Sequence, residues 1–269
     1  YLRCFKYQSK HLRFIRSLVR FPFFVDLSRP EDVLNHTCNF YLNTEEGISV
    51  GVWHTLPASQ WEKSARRSPE WYRETLGDGT PVIIYLHGNI GTRWDKSSFG
   101  DSTGDPSEAG LTNDALYLYH WVKKHSKGSL VCLWGHSLGS GVATNAAVKI
   151  QDVFERILQH IFHLFFQMYR FLPGFESLLW NIMKMTNIVF ANDKNLKSLI
   201  SPLLILHSED DNVVPYHMGL EVQKLNTDAH VEMISYSASL GFSHSSIYLD
   251  PNLSAMFLIT IFVHSTGFF

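Results

Sequence analysis

The sequence predicts an α/β fold, with one mostly parallel sheet and helices on both faces. Short apolar runs at residues 81–86, 130–134 and 202–206 have the length and composition of strands that are buried on both sides. Segments with helical periodicity lie between these runs, at 111–124 and 138–151. The length of 269 residues suits one such domain, and 45% hydrophobic with 18% charged residues is an ordinary globular composition.

The chain opens with an amphipathic basic segment, which we place at residues 1–33, before a domain at 34–269. Basic and apolar side chains fall near helical spacing over residues 1–20, a pattern typical of helices that lie on membranes. A solvated surface helix is the alternative. No run reaches the roughly 18 apolar residues that a membrane span needs. Because the chain begins at Tyr1, we expect a fragment, which leaves room for an anchor upstream.

The remaining elements follow in order along the chain. Residues 38–55 predict a hairpin, and residues 57–80 predict a loop with a short helix. Residues 152–187, rich in Phe, Leu, Ile and Met, predict two helices. A helix at 213–225 and a final strand at 231–236 complete the pattern. This alternation favours a doubly wound parallel sheet over a sandwich or a bundle.

Composition excludes several classes of function. A formal charge of −2 and a pI near 6.7 give no electrostatic basis for nucleic-acid binding. The three cysteines are an odd number without metal-like spacing, so neither a disulfide framework nor a zinc site is indicated. No His, Asp and Glu cluster has metal-ligand spacing either. We therefore expect no metal and no other cofactor.

The strongest motif is GHSLG at residues 135–139, directly between an apolar strand and a helix. A G-x-S-x-G motif at such a junction places its serine on a sharp turn, and the glycines leave room for a strained nucleophile. Ser137 is the predicted nucleophile. The amide of Leu138, at the helix N-terminus, is expected to bind a developing oxyanion. A plain left-handed turn is the alternative.

A serine nucleophile needs a histidine base that a carboxylate orients. In α/β-hydrolases the order along the chain is serine, acid, histidine. The apolar run at 202–206 leads into a turn with three acidic side chains. We choose Asp211 as the acid because it precedes the segment 212–215 that re-enters the fold, and Asp210 is the alternative.

Fourteen histidines are available, and the chain order leaves His230, His244 and His264 as candidate bases. His244 follows the last predicted strand on a glycine-containing loop, which suits a mobile general base, so we choose it. His136 is expected to face sideways from the nucleophile turn as a bystander.

A second oxyanion donor must come from the loop after an earlier strand. Residues 86–91, LHGNIG, form a glycine-rich turn at that place. We assign the donor to the amide of Asn89, with Ile90 as the alternative. The turn lacks the G-x-G-x-x-G pattern of a dinucleotide site.

With these residues identified, the chain resembles the α/β-hydrolase domain-containing protein 12 family, membrane-bound lipases that act on lysophosphatidylserine and monoacylglycerols. The matching segments are scattered from about residue 21 to 250 and lie at 21–27, 34–38, 51–55, 86–93, 99–104, 134–145, 190–193 and 202–215. The resemblance implies the α/β-hydrolase fold and a triad of Ser137, Asp211 and His244. It also implies an endoplasmic-reticulum membrane protein whose catalytic domain faces the lumen. Asn35 and Asn252 begin glycosylation sequons, which fits a lumenal domain.

Two segments depart from the family pattern. Residues 94–98 are too few for the helix and strand that the family carries there. After residue 151 no apolar β-branched run marks the strand that follows the nucleophile helix in the family. The sequence therefore predicts that two strands flanking the nucleophile strand are missing from the middle of the sheet.

The predicted function is hydrolysis of a lipid carboxylic ester, at a membrane surface and with no nucleic-acid partner. Two alternatives remain open. An acyl-protein thioesterase is the first, because depalmitoylating relatives share the His-Gly-Asn turn and the triad. A catalytically inactive, truncated variant is the second, because of the two expected deletions.

Overall fold

The computed structural model describes residues 28–32, 34–65, 67–87, 102–103, 107–150, 156–160, 192–225 and 231–257. The chain divides into two compact units. The first contains the described residues of Tyr1–Ile83, Asn89–Pro106 and Leu116–Val131, and the second those of Ile84–Gly88, Ser107–Ala115 and Cys132–Phe269. The basic segment predicted at the N-terminus lies, up to residue 27, outside the described residues.

The first unit contains the predicted hairpin, formed by antiparallel strands β1 (Thr37–Glu45) and β2 (Ile48–Thr55). Gly47, with a φ of 78°, supplies the left-handed residue that the tight turn between them requires. A short helix, α1 (Pro69–Thr75), follows. It begins where the Ser68 hydroxyl accepts a hydrogen bond from the Trp71 amide, with Pro69 at its first turn.

A five-stranded sheet has the order β3-β4-β5-β6-β7, and most of its residues belong to the second unit. Its strands are Val82–Leu86, Val131–His136, Arg156–His160, Leu203–Ser208 and Val231–Tyr236. The pairs β4–β5, β5–β6 and β6–β7 are parallel. All six residues of β6 are buried, and its first four, LLIL, form the apolar run that is typical of a parallel strand covered on both faces. The α/β class predicted from the sequence is confirmed.

Among the described residues, the helices between these strands are α2 (Glu108–His125), α3 (Leu138–Lys149), α4 (Asn192–Ser198) and α5 (Tyr216–Leu225). Helix α3 is rich in Gly, Ala and Ser, and nine of its twelve residues are buried. Small side chains let its backbone approach its neighbours closely.

Strand β5 corrects the sequence analysis. Residues 156–160 were expected in a helix, and the family strand at this point was expected to be missing. Instead Leu158 pairs with Trp134 on one side and with Leu204 on the other. The segment RILQH has no continuous β-branched run, so its strand is specified by two ladders of partners rather than by local propensity. The other expected deletion, at 94–98, lies outside the described residues, as do 161–187.

Within the described part of the chain, no helix combines the length and apolar character that crossing a bilayer demands. The same residues hold no group of three or more His, Cys, Asp and Glu side chains arranged for a metal ion.

Candidate active site

Ser137 occupies the sharp turn between β4 and α3. Its φ of 56° and ψ of −125° place a non-glycine residue in a strained region of backbone space. The carbonyl of Ser137 accepts bonds from the Ser140 amide, at 2.9 Å, and the Ser140 hydroxyl, at 2.6 Å. These bonds hold the turn, and the strained geometry is the one expected of a nucleophile elbow.

Two glycines make this turn sterically possible. A Cβ at Gly135 would lie 2.3 Å from the Cα of Ser140. One at Gly139 would lie 2.0 Å from the carbonyl oxygen of Leu86 and 2.6 Å from that of His87. No other residue fits either position without moving backbone, so the motif's glycines are a packing requirement.

The Ser137 side chain is enclosed, with the residue 1% exposed. Its Oγ is buried and makes no hydrogen bond within the described residues. The hydroxyl therefore makes no hydrogen bond to His244, and the structure does not bring these two predicted residues together. Catalytic hydrogen bonds are commonly long or absent without substrate and shorten in the complex.

The structure brings Asp211 and His244 together. Nδ1 of His244 lies 3.1 Å from both carboxylate oxygens of Asp211, and both residues are buried. Oδ1 of Asp211 also accepts bonds from the amides of Val213 at 2.8 Å and Val214 at 2.7 Å. These donors fix the carboxylate, which in turn orients the imidazole.

Asp210, the alternative acid, has different partners. It accepts hydrogen bonds from the Ser208 hydroxyl and, at 2.9 Å, from the amide of Ser243. The Ser208 hydroxyl is the main reason that the pKa of Asp210 is lowered, and the Ser243 amide acts in the same direction. Of the alternative bases, His230 and His264 lie outside the described residues.

Two further histidines lie beside this pair, and no role was expected for either from the sequence. Nε2 of His136 donates to the backbone carbonyl of His244 at 3.3 Å, and the two rings lie 5.6 Å apart. Nε2 of His207 donates to the Val214 carbonyl at 3.0 Å and lies 3.7 Å from Asp211. The feature of the sequence that could have identified His136 is its place next to Ser137 in the motif.

Both of these rings are held neutral. Burial lowers the pKa of His136 to about 4, against the opposing effect of its bond to the His244 carbonyl. Burial also lowers the pKa of His207, with the Val214 carbonyl acting in the opposite direction. At neutral pH neither ring competes with His244 for the negative charge of Asp211.

The predicted oxyanion donors are only partly described. Leu138 is the first residue of α3, where main-chain amides lack partners within the helix. The chain leaves β3 at His87, directly beside Gly139. Asn89 follows two residues later and, like Ile90, lies outside the described residues. The two predicted glycosylation residues, Asn35 and Asn252, are both exposed.

Known proteins are similar to this chain in sequence and in fold. It matches no protein-family model. It is 41% identical over 278 residues to the lysophosphatidylserine lipase ABHD12 of Xenopus tropicalis, covering 88% of this chain and 72% of that protein. It is 38% identical over 279 residues to human protein ABHD12B, covering 89% of this chain and 75% of that protein.

Solved structures agree on the fold. An esterase of Pyrococcus furiosus, Pf2001, superposes with a TM-score of 0.58 at 16% identity, over 88% of this chain and 94% of the esterase. A putative lipase of Acinetobacter baumannii superposes with a TM-score of 0.55 at 14% identity, over 88% and 96%. At these identities the likeness establishes the fold.

We expect Gly139→Ala to abolish labelling of Ser137 by a fluorophosphonate and to reduce stability by at least about 3 kcal/mol, because the added methyl group meets backbone. Gly79→Ala is the matched control. Gly79 has a φ of 86° but nothing within 4 Å of the added Cβ, so it costs roughly 1 kcal/mol and keeps labelling. Urea unfolding and labelling measure both. Normal labelling of the Gly139 variant would contradict the close approach.

Acid should destabilise the protein partly through His136. Its folded pKa, about 4, lies below the ordinary 6.5, so its contribution is present at neutral pH and is lost as pH falls towards 4. His136→Gln keeps an N–H donor but does not titrate. Between pH 7 and pH 4.5 we expect this variant to lose less stability than the wild type, by about 2 kcal/mol in urea unfolding. Equal losses would mean that the ring titrates normally.

Proposed function

The chain belongs to the ABHD12 family of lysophosphatidylserine lipases, and from this premise we propose that Ser137, Asp211 and His244 are its catalytic triad. The protein is a serine hydrolase of lipid carboxylic esters with an α/β-hydrolase fold. We propose a lysophospholipid or a monoacylglycerol as its substrate. The observation that carries the triad is the strained Ser137 turn between two glycines that admit no side chain.

The chemistry begins with proton transfer. The carboxylate of Asp211 accepts a hydrogen bond from Nδ1–H of His244, which keeps the proton on Nδ1 and leaves Nε2 as the basic nitrogen. Nε2 takes the proton of the Ser137 hydroxyl as Oγ attacks the ester carbonyl carbon. The imidazolium that forms is stabilised by Asp211, whose own charge is held by the Val213 and Val214 amides.

The attack produces a tetrahedral intermediate with a negative oxygen. The amides of Leu138 and Asn89 are proposed to bind this oxygen, with Leu138 aided by the dipole of α3. Collapse breaks the bond to the glycerol oxygen, which leaves with the proton from His244. Water, deprotonated by His244, then cleaves the acyl-enzyme and regenerates Ser137.

We also propose that the protein works at the membrane of the endoplasmic reticulum, with its catalytic domain in the lumen. The basic amphipathic segment within residues 1–33 supports membrane contact. Exposure of both sequon asparagines, Asn35 and Asn252, supports a glycosylated lumenal domain.

The triad is tested by kinetics on purified protein. Ser137→Ala should lower kcat on a lysophosphatidylserine and on a monoacylglycerol by at least about 10⁴-fold. Asp211→Asn should lower it by about 10⁴-fold, because the imidazole then takes the wrong tautomer. An acyl-protein thioester serves as the competing substrate, and a preference for it would replace the lipid assignment. Turnover by Ser137→Ala would remove the serine mechanism altogether.

The localisation is tested in cells by glycosidase treatment. The wild type should lose two glycans on endoglycosidase H digestion, while Asn35→Gln and Asn252→Gln should each lose one, since both asparagines are exposed. Ser254→Ala is the control for the second sequon, because it removes the sequon and keeps the asparagine. A wild type whose mobility does not change would contradict lumenal exposure.

A further inference from the structure

We propose that Asp210 and Asn212 are positioning residues, which hold Ser243 and thereby place the base His244. The inference rests on the triad proposed above. Three consecutive residues, 210–212, contact the two consecutive residues 243 and 244 through their side chains. We call residues 209–212 the acid turn and residues 237–244 the base loop.

The contacts of the acid turn fall on the base and on the residue directly before it. Oδ1 of Asp210 accepts the Ser243 amide at 2.9 Å, and Oδ1 of Asn212 accepts the Ser243 hydroxyl at 3.2 Å. Between them, Asp211 accepts Nδ1 of His244 at 3.1 Å. The residue before the base is thus held at its backbone and at its side chain, while the base itself is held at its ring.

The base loop needs such support because its own backbone supplies little. Apart from one 3-10 turn at Ala238–Leu240, it has no regular structure. Gly241 and Ser243 have φ values of 64° and 47°, so the chain enters the left-handed region twice just before His244. This conformation is unfavourable for a non-glycine residue such as Ser243, and it persists only where neighbours impose it. Asp210 and Asn212 are those neighbours.

The side chain of Asp210 is itself held in place by a hydrogen bond. The Ser208 hydroxyl, at the end of β6, donates to the same Oδ1 that accepts the Ser243 amide. Both donors favour the ionised carboxylate, and the pKa of Asp210 is lowered accordingly. Because Asp210 is bonded to the end of β6 and also to Ser243, it fixes the position of the base loop relative to the sheet.

Glu209 provides an internal control within the acid turn. Its carboxylate accepts the amide of Ala238 at 3.1 Å, and its own amide donates to the Tyr236 carbonyl at 2.8 Å. It therefore holds the beginning of the base loop in the same chemical manner, six residues before His244. A role confined to loop stability would make Glu209 and Asp210 equivalent, whereas a role in placing the base would not.

The experiment compares kcat and KM of the full chain on a monoacylglycerol, with urea unfolding of every variant. Asp210→Ala should lower kcat about 10-fold or more with KM unchanged, because a displaced base impairs the chemical step alone. Asp210→Asn keeps the oxygen that accepts the Ser243 amide and should restore kcat to within about 3-fold of the wild type. Glu209→Ala should keep kcat within about 2-fold at a similar loss of stability.

Asn212 gives a second route to the same test, since its side chain is exposed and its replacement leaves the core intact. Asn212→Ala should lower kcat about 3-fold, and Asn212→Asp, which keeps an acceptor for the Ser243 hydroxyl, should not. If Asp210→Ala and Glu209→Ala lose kcat equally, or if neither conservative variant restores it, the positioning role is wrong. Activity that survives Ser137→Ala would instead remove the triad on which the inference rests, so the two failures are distinguishable.

Discussion

The site depends on one close approach, that of Gly139 to the backbone at the end of β3. The space in which a Cβ would stand is taken by the carbonyl oxygens of Leu86 and His87. This contact sets the N-terminus of α3 against the neighbouring strand and forces the turn in which Ser137 has a φ of 56°. The strain at the serine is thus imposed by packing, which is how a strained residue persists in a folded protein.

A second feature of the site is the distribution of charge among its histidines. Three imidazoles lie around Asp211, but burial lowers the pKa of His136 and of His207, and both carry their Nε2 proton towards backbone carbonyls. Only His244 presents Nδ1 to the carboxylate at hydrogen-bonding distance. The negative charge of buried Asp211 is therefore directed to one of the three rings, and this arrangement supports the proposed role of His244 in proton transfer.

The sequence alone predicted the elements whose signal lies within one short stretch of residues. The apolar runs of β3, β4 and β6 and the GHSLG turn each have their own local signal. Chain order narrowed the candidates for the proposed acid and base, and Asp211 and His244 were then chosen by their positions after predicted strands. Strand β5 was missed because its pairing with β4 and β6 decides its conformation. His136 was missed because its contact with His244 joins residues 108 positions apart, which no spacing rule anticipates.

Strand β5 also bears on whether this chain, from which the sequence predicts missing strands, keeps the sheet that positions its site. Strand β4, which leads to the proposed nucleophile Ser137, lies between β3 and β5, so both of its edges are paired. The five strands pair in an unbroken order, so the family strand that the sequence predicts to be missing would have belonged outside β3 or β7. Losing a strand from such an outer position leaves the ladders on both sides of β4 complete, whereas losing β5 would have left its backbone groups without partners. The presence of β5 therefore favours an active hydrolase over an inactive remnant.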